Sequence, residues 1–399
     1  MSLFNVYPLF DITPVKGDDV YIYDENDQRY LDLYGGHAVI SIGHSHPTYV
    51  KNVSDQLSKL GFYSNSIQNP LQSELVKKIQ KVSGCNFYSL FLCSSGAEAN
   101  ENALKLASFH TEKKKIIAFT NGFHGRTSAA VAVTDNKKII APINAQQEVE
   151  LIELGDLKSV EVSLRKGDIC AIIIECIQGV GGLDEATTSF YQGLDKLAKQ
   201  YDAILIADEV QSGFGRTGDF FAFQHHEIDP DIISIAKGMG NGFPVGGILI
   251  HPKFKASYGL LGTTFGGNHL ACTASLSVLE VIEEENLMKN AQEISKYFFQ
   301  EAQTIPRVKK IKGRGLMLGL EFDFPIAELR KKLIFEHKIF TGSAKNPNVL
   351  RILPPLTIRK THINQFVEAL KIELENIKDL STALEETTTM SGRAQSRPK

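Results

Sequence analysis

Short apolar runs separated by longer helix-like segments dominate the chain between about residues 85 and 250. The runs are continuously apolar, a composition typical of strands whose two faces are both covered. Their alternation with helical segments predicts an α/β fold around a mostly parallel sheet. The predicted strands are Ser89 to Cys93, Ile116 to Phe119, Ala171 to Ile174, Ile204 to Ala207, Ile232 to Ala236 and Gly246 to Ile250.

The two ends of the chain show a different pattern. The first 50 residues include a hairpin-like stretch from Tyr21 to Leu33. From about residue 305 onward, strand signals are followed by a helix with one apolar face. We expect residues 1–50 and 305–384 to form one small α+β domain beside a large domain of residues 51–304. The apolar positions of the predicted helix are Ile363, Phe366, Val367, Leu370, Leu374 and Ile377.

Composition and charge indicate a small-molecule partner. Lys plus Arg total 43 against 46 for Asp plus Glu, a net charge of -3, which favours neither nucleic acid nor a membrane. The five cysteines form no CxxC pair and lie mostly in apolar runs, as expected of reduced thiols in a cytoplasmic protein. Residues 385–399 are polar, and we expect them to be disordered.

Chemically useful side chains follow these apolar runs, where each predicted strand ends. In open α/β sheets the ligand crevice lies beyond the carboxyl ends of the strands. We therefore expect these side chains to share one crevice. They are Ser95 with Gly96 and Ala97, Phe123 with Arg126, Glu175, Asp208 with Val210 and Gln211, and Lys237.

Asp208 and Lys237 are the most informative of these residues. An acid and an amine at the ends of two buried strands suit pyridoxal 5'-phosphate (PLP), which needs a lysine for its Schiff base and an acid beside its ring nitrogen. Consecutive strand residues point to opposite faces, so we assign Asp208 to the site without Glu209, and Val210 to the same side as Asp208. The alternative for Lys237 is an exposed strand terminus.

Two further segments can serve the same ligand. Ser95 to Glu98 matches a helix-capping box, and Gly96 would let a phosphate approach the helix N-terminus. Phe123 could cover a flat ring and Arg126 could bind a carboxylate, although alone they would more often be a core residue and a surface ion pair. We assign His124 no catalytic role.

His44 and His46 offer a metal site as an alternative. Together with Asp208 and Glu209 they would suit a metal-dependent hydrolase. No other His or Cys cluster has matching spacing, so a turn stabilised by histidines is the stronger interpretation and we predict no metal. A protein that binds PLP without catalysis is a further alternative.

Taken together, these segments resemble the class III aminotransferase family of PLP fold type I, and within it the acetylornithine aminotransferases. The resemblance runs from about Pro14 to about Ile377. It implies a mostly parallel seven-stranded sheet in the large domain. The strongest segments are Ser95 to Ala107, Gly122 to Thr127, Asp208 to Gly218, Ala236 to Pro244, Gly262 to Asn268 and Gly313 to Gly319.

The resemblance also implies roles for individual residues. Lys237 and Asp208 would be catalytic, and Thr264 would reach the cofactor phosphate from the other subunit of a homodimer. The implied cofactor-binding set is Ser95, Gly96, Ala97, Phe123, Glu175, Asp208, Val210, Gln211, Lys237 and Thr264.

The implied reaction moves the terminal amine of N2-acetylornithine to 2-oxoglutarate, in arginine biosynthesis. Arg126, Thr263 and Arg351 would bind the substrates. Val180 stands where the family commonly has a glutamate that pairs with the second arginine, so Arg351 needs another partner. N-succinylornithine is therefore an alternative donor. Free ornithine and 4-aminobutyrate are further alternatives, because a transaminase that uses either one shares every cofactor residue.

Overall fold

A computed structural model describes residues 1–376; residues 377–399, which include Ile377 and the predicted disordered tail, lie outside the described part. A seven-stranded sheet forms its centre, in the order β4-β10-β9-β8-β7-β5-β6. All strands run parallel except β10, which is antiparallel to both neighbours. The strands are β4 (Ser89–Cys93), β5 (Lys115–Phe119), β6 (Val149–Ile152), β7 (Ile169–Ile174), β8 (Ile204–Asp208), β9 (Ile232–Ile235) and β10 (Gly246–Ile250).

The sequence predicted six of these seven strands. The exception is β6, an edge strand that pairs only with β5. Its residues Val149, Glu150, Leu151 and Ile152 include one charge and leave Leu151 exposed, so the continuous apolar signal of the other strands is absent. The predicted α/β class and the seven-stranded, mostly parallel sheet are confirmed.

Helices cover both faces of this sheet because successive strand residues point to opposite sides. In β8, Ile204 and Ile206 pack in one core with helix α4, whereas Leu205 and Ala207 belong to the core of the other face. The helices of this part are α2 (Pro47–Lys59), α3 (Pro70–Ser83), α4 (Gly96–Thr111), α5 (Ser128–Ala132), α6 (Leu157–Leu164), α7 (Thr188–Gln200), α8 (His269–Glu284) and α9 (Leu287–Ala302).

The two chain ends meet in a four-stranded sheet. Strands β1 (Pro14–Asp18), β2 (Tyr21–Asp24) and β3 (Arg29–Asp32) form an antiparallel meander, and β13 (Ile339–Phe340) joins it parallel to β3. A single left-handed turn, α1 (Gly35–Ala38), follows β3. Both chain ends therefore contribute strands to one sheet, and the predicted division into domains stays a prediction.

The rest of the C-terminal part is a second, antiparallel sheet with two helices. The predicted helix spans 360–376 within the described residues, and its apolar positions from Ile363 to Leu374 are buried. No helix of the described chain is both long and apolar enough to cross a membrane. All five cysteines are buried free thiols. The remaining elements are β11 (Val308–Arg314), β12 (Met317–Phe322), α10 (Ala327–Phe335), β14 (Gly342–Ser343) and β15 (Val349–Ile352).

Candidate active site

A cavity of about 400 Å³ opens at the carboxyl edge of the central sheet. It lies where the predicted crevice was placed, beyond the ends of β4, β5, β7, β8 and β9. Thr263, Thr264 and Arg351 are the predicted site residues that do not line it. The predicted residues that do are Ser95, Gly96, Ala97, Phe123, Arg126, Glu175, Asp208, Val210, Gln211 and Lys237.

Asp208 is buried at the end of β8 and held by three donors. Nδ1 of His124 lies 2.7 Å from Oδ2, the Asn100 amide donates to the same oxygen at 2.7 Å, and the Val210 amide donates to Oδ1 at 3.1 Å. Burial alone would lower the pKa of His124, but its hydrogen bond to Asp208 and the charge of that carboxylate outweigh burial and raise it. The carboxylate is therefore fixed in position by three hydrogen-bond donors.

Sequence reasoning missed this role of His124 and Asn100. Asn100 also donates to the backbone oxygen of His124 at 2.8 Å, so α4 ties the loop after β5 to Asp208. The available signal was a polar Asn among the buried small residues of an amphipathic helix, because Asn is a weak helix former. Its partner on β8 is 108 residues away in sequence, which no local pattern reveals.

Lys237 follows β9 and begins a short 3₁₀ turn, Lys237–Met239, in a left-handed backbone conformation with φ of 47°. Such a conformation is uncommon for a residue other than glycine and often marks a functional position. Burial lowers the pKa of its amine to about 8; Asp208 and Glu175 oppose the shift and Arg351 adds to it. A much larger fraction of this amine is unprotonated at neutral pH than of an ordinary lysine.

The start of α4 forms the wall of the cavity opposite Lys237. Ser95 is its N-cap, as predicted, and its hydroxyl accepts from the Glu98 amide at 3.2 Å. The second hydrogen bond of the predicted capping box is different. The Glu98 carboxylate accepts from the backbone amide of Ser94 and not from that of Ser95. Gly96 is required here, since a Cβ would fall 2.6 Å from Cγ1 of Val210. The amides of Gly96 and Ala97 have no intrahelical acceptor and can bind an anion.

Glu175 and Gln211 shape the side of the cavity next to β7. The buried Glu175 carboxylate accepts from the amides of Phe123 and Gly179, both at 2.9 Å, and so fixes the backbone that carries the Phe123 ring. Burial raises the pKa of Glu175 although His124 opposes the shift. Nε2 of Gln211 donates to the backbone oxygen of His37 at 3.3 Å.

The four residues of the alternative metal site do not converge. His44 contacts Asp32 at 2.8 Å and His46 contacts Glu285 at 2.9 Å. Glu209 faces away from the cavity, as predicted, and accepts from the Ser212 hydroxyl and from the backbone amides of Ala222 and Phe223. The hydrolase that this set would build therefore has no assembled site.

Two arginines lie at or beside the cavity without an acidic partner among the described residues. Arg126 is exposed at the mouth. Arg351, in β15, is only 3% exposed and donates through Nε to the Ser343 oxygen at 2.6 Å and through Nη1 to the Gly179 oxygen at 2.8 Å. Backbone oxygens, and no carboxylate among the described residues, therefore contact this guanidinium.

Thr263 and Thr264 lie outside the cavity on the loop before α8. The Thr263 hydroxyl accepts from the Gly266 amide at 3.1 Å, and Thr264 is exposed. Neither residue lines the cavity of its own chain.

The donor set of the cavity fits PLP. It combines a partly neutral lysine amine, an acid held by an imidazole, free helix-terminal amides and a phenylalanine ring. Together, the fold and this site define a PLP-dependent aminotransferase of fold type I. The chain belongs to the class-III aminotransferase family, whose model matches residues 5–374.

Curated relatives are similar to the chain over nearly its full length. The acetylornithine aminotransferase of Bacillus subtilis (strain 168) is 38% identical over 376 residues, covering 93% of this chain and 97% of the relative. That of Aquifex aeolicus (strain VF5) is 38% identical over 380 residues, covering 92% and 98%.

Solved structures give the same fold. The ornithine aminotransferase of Toxoplasma gondii ME49 superposes with a TM-score of 0.87 at 26% identity, covering 93% of this chain and 92% of that one. A Bacillus anthracis aminotransferase superposes with a TM-score of 0.86 at 25% identity, covering 94% and 96%.

Proposed function

We propose that this enzyme transfers the terminal amine of an N2-acylated ornithine, N2-acetylornithine in the first instance, to 2-oxoglutarate. The products are N-acetylglutamate 5-semialdehyde and glutamate, and the pathway is arginine biosynthesis. The observation that carries the proposal is that Lys237 lines the same cavity as Asp208, whose carboxylate contacts His124. The similarity to acetylornithine aminotransferases supports the donor.

The proposed reaction gives a role to five cavity residues, Lys237, Asp208, Gln211, Phe123 and Val210. PLP, when bound, supplies an aldehyde and an electron-accepting ring. The amine of Lys237 would bond the cofactor and, once displaced by the donor amine, would move a proton from the substrate carbon as general base and acid. Asp208 would keep the proton on the ring nitrogen, Gln211 would neighbour the ring oxygen, and Phe123 and Val210 would enclose the ring.

The two arginines bind carboxylates in this proposal. Arg126 at the cavity mouth receives the α-carboxylate of the acylornithine and, in the second half-reaction, the side-chain carboxylate of glutamate. Arg351 receives the α-carboxylate of glutamate or 2-oxoglutarate. Thr263, which lies outside the cavity of its own chain, would line the substrate pocket of the partner copy.

N-succinylornithine is a second candidate donor, because Arg351 has no acidic partner among the described residues. A glutamate in place of Val180 would neutralise this guanidinium while a donor without a second carboxylate is bound. The backbone oxygens that Arg351 contacts here leave its positive charge available. A succinyl carboxylate would complement that charge, whereas an acetyl group would not.

The experiment is an absorption spectrum of the purified protein before and after each donor. N-acetylornithine or N-succinylornithine should abolish the band of the bound aldehyde, and 2-oxoglutarate should restore it. Free ornithine and 4-aminobutyrate are the comparison donors. A band that no amino donor changes would contradict the proposal. Borohydride should fix the cofactor to the wild-type protein and not to Lys237→Ala; a covalent adduct in that variant would identify a different lysine.

We also propose that two copies of the chain share their active sites. Thr264 lies outside its own cavity, next to Phe265, whose exposed ring contacts the exposed ring of Phe62. An exposed aromatic surface of this kind is typical of a protein interface. Across a two-fold axis, Thr264 would reach the phosphate of the partner's site.

A further inference from the structure

The turn α1 between β3 and the central domain has an unusual backbone. Gly35, Gly36, His37 and Ala38 have φ angles of 55°, 56°, 68° and 62°. Left-handed geometry is easy for glycine but costs roughly 1–2 kcal/mol for each of the two other residues. A residue kept in such a conformation is a candidate for function when the surroundings hold it there.

The surroundings do hold this turn. The Asp32 carboxylate accepts from the amides of Tyr34 at 2.9 Å and Gly35 at 2.8 Å. Gln211, a cavity residue, donates to the backbone oxygen of His37. A Cβ on Gly35 would fall 2.8 Å from the Leu353 oxygen, so the turn is also packed against the segment that follows β15. The position of His37 is thereby linked to Gln211 in the cavity and to the segment that follows β15.

Tyr34 and His37 form a side-chain pair on this turn. The Tyr34 hydroxyl lies 2.6 Å from Nδ1 and 2.8 Å from Nε2 of the His37 ring. The ring is exposed and Tyr34 is half-buried. A neutral imidazole carries one donor and one acceptor nitrogen, so this pair can donate a hydrogen bond without adding another positive charge.

The pair lies beside Arg351, since a Cβ on Gly342 would fall 2.8 Å from Cε2 of Tyr34 and 3.2 Å from Cβ of Arg351. Partial burial and the charges of Arg351, Lys237 and Arg330 lower the pKa of His37 to about 4, so its ring is neutral at physiological pH. Arg330 donates to the Thr341 oxygen at 2.8 Å and has no acidic partner among the described residues. Arg351 likewise contacts only oxygens of uncharged groups within that part of the chain, and its Nη2 makes no hydrogen bond there.

We propose that Tyr34 and His37 are specificity-determining residues that hydrogen-bond the substrate carboxylate bound at Arg351. This inference rests on the proposed function and deepens it, because it assigns the preference for dicarboxylic acceptors to a Tyr–His pair that acts together with the arginine. Arg351 and Arg330 attract the anion, and the neutral pair fixes its orientation. The same pair would receive the far carboxylate of a succinylated donor.

The test is the binding of glutarate to the holoenzyme, measured by calorimetry, because glutarate has two carboxylates and no reacting group. Valerate, with one carboxylate, is the comparison ligand. His37→Gly removes the ring but accepts the left-handed backbone, and Tyr34→Phe removes only the hydroxyl. Tyr21→Phe is the matched control, since Tyr21 also packs against a histidine, His362, away from the cavity.

Each of the two variants should weaken glutarate binding by about ten- to hundredfold, the loss of one hydrogen bond to a charged group. Valerate binding, the cofactor spectrum and the thermal midpoint should change little. KM for 2-oxoglutarate should rise while kcat stays within about twofold. Unchanged glutarate affinity in both folded variants would overturn the inference. Failure of the proposed function would be seen separately, as a wild-type cofactor band that no amino donor abolishes.

Discussion

At the scale of single residues, the contact between His124 and Asp208 holds the acid of the site in place. Both side chains are buried, and the imidazole lies 2.7 Å from the carboxylate. Asn100 supplies a second donor from α4. Because these donors hold the carboxylate in place, Asp208 is positioned to keep a proton on a neighbouring ring nitrogen. His124 and Asn100 are positioning residues in this arrangement, since they act through Asp208.

His124→Asn should weaken PLP binding roughly ten- to hundredfold, because a hydrogen bond to a charged group contributes about 1.5–3 kcal/mol. The absorption maximum and pH profile of the bound cofactor should also shift, which a loss of stability alone would not cause. His226→Asn is the control: His226 is equally buried and contacts Glu185 at 3.3 Å, away from the cavity. If both variants change the cofactor spectrum alike, His124 has no specific role.

The lowered pKa of Lys237 makes a second prediction at this scale. With a pKa of about 8 the amine is mostly protonated at pH 7 and mostly neutral at pH 9. Only the neutral amine attacks an aldehyde, so capture of PLP by the apo-protein should accelerate roughly tenfold over this range and then level off. Rapid-mixing absorbance measures the rate. Pyridoxamine phosphate, which has no aldehyde, should lack this dependence, and a rate that still rises above pH 10 would contradict the lowered pKa.

The residue types of the site could be predicted from the sequence, but their hydrogen-bond partners could not. Lys237, Asp208 and Gly96 follow apolar runs, and the fold brings strand ends together. Arg351 contacts the backbone oxygens of Ser343, in the neighbouring strand β14, and of Gly179, which is 172 residues away in sequence. Contacts of this kind depend on tertiary packing, and no local pattern encodes them.

At the scale of elements, the start of α4 combines helix capping with ligand binding. Ser95 and Thr187 are both N-caps, of α4 and α7, and both accept a hydrogen bond from the third residue of their helix. Ser95→Ala and Thr187→Ala should each reduce the free energy of unfolding of the apo-protein by about 1 kcal/mol, measured by denaturant titration. Only Ser95→Ala should also weaken PLP binding. Equal PLP affinity in the two variants would mean that Ser95 caps the helix and does not contribute to PLP binding.

Strand prediction succeeded where burial on both faces made a run continuously apolar, as in β7 and β8. It failed at the sheet edge, where β6 carries Glu150, and it did not define the two-residue strands β13 and β14. Strands this short exist because a neighbouring strand supplies hydrogen bonds, as β3 does for β13. Tertiary context therefore determines these elements.

For the whole molecule, the unusual feature is the loop that carries Thr263 and Thr264, which lies outside the cavity although most predicted site residues line it. The apolar surface around Phe265 offers a reason, since it would place this loop against a second copy. An isologous interface puts each loop at the partner's site. The active site would then be complete only in the dimer, and subunits with different defects should complement each other.

Complementation tests the shared site directly. Lys237→Ala subunits lack the amine but carry an intact Thr264, and Thr264→Glu subunits place a carboxylate against the partner's phosphate. Each homodimer should be nearly inactive. After reversible dissociation and mixing in equal amounts, heterodimers contain one site with both native residues, and activity should recover to about one quarter of wild type. Mixing Lys237→Ala with Asp208→Asn is the control without recovery, because both residues serve the site of their own chain. No recovery in the first mixture, with heterodimers confirmed by mass, would mean that Thr264 does not serve the partner's site.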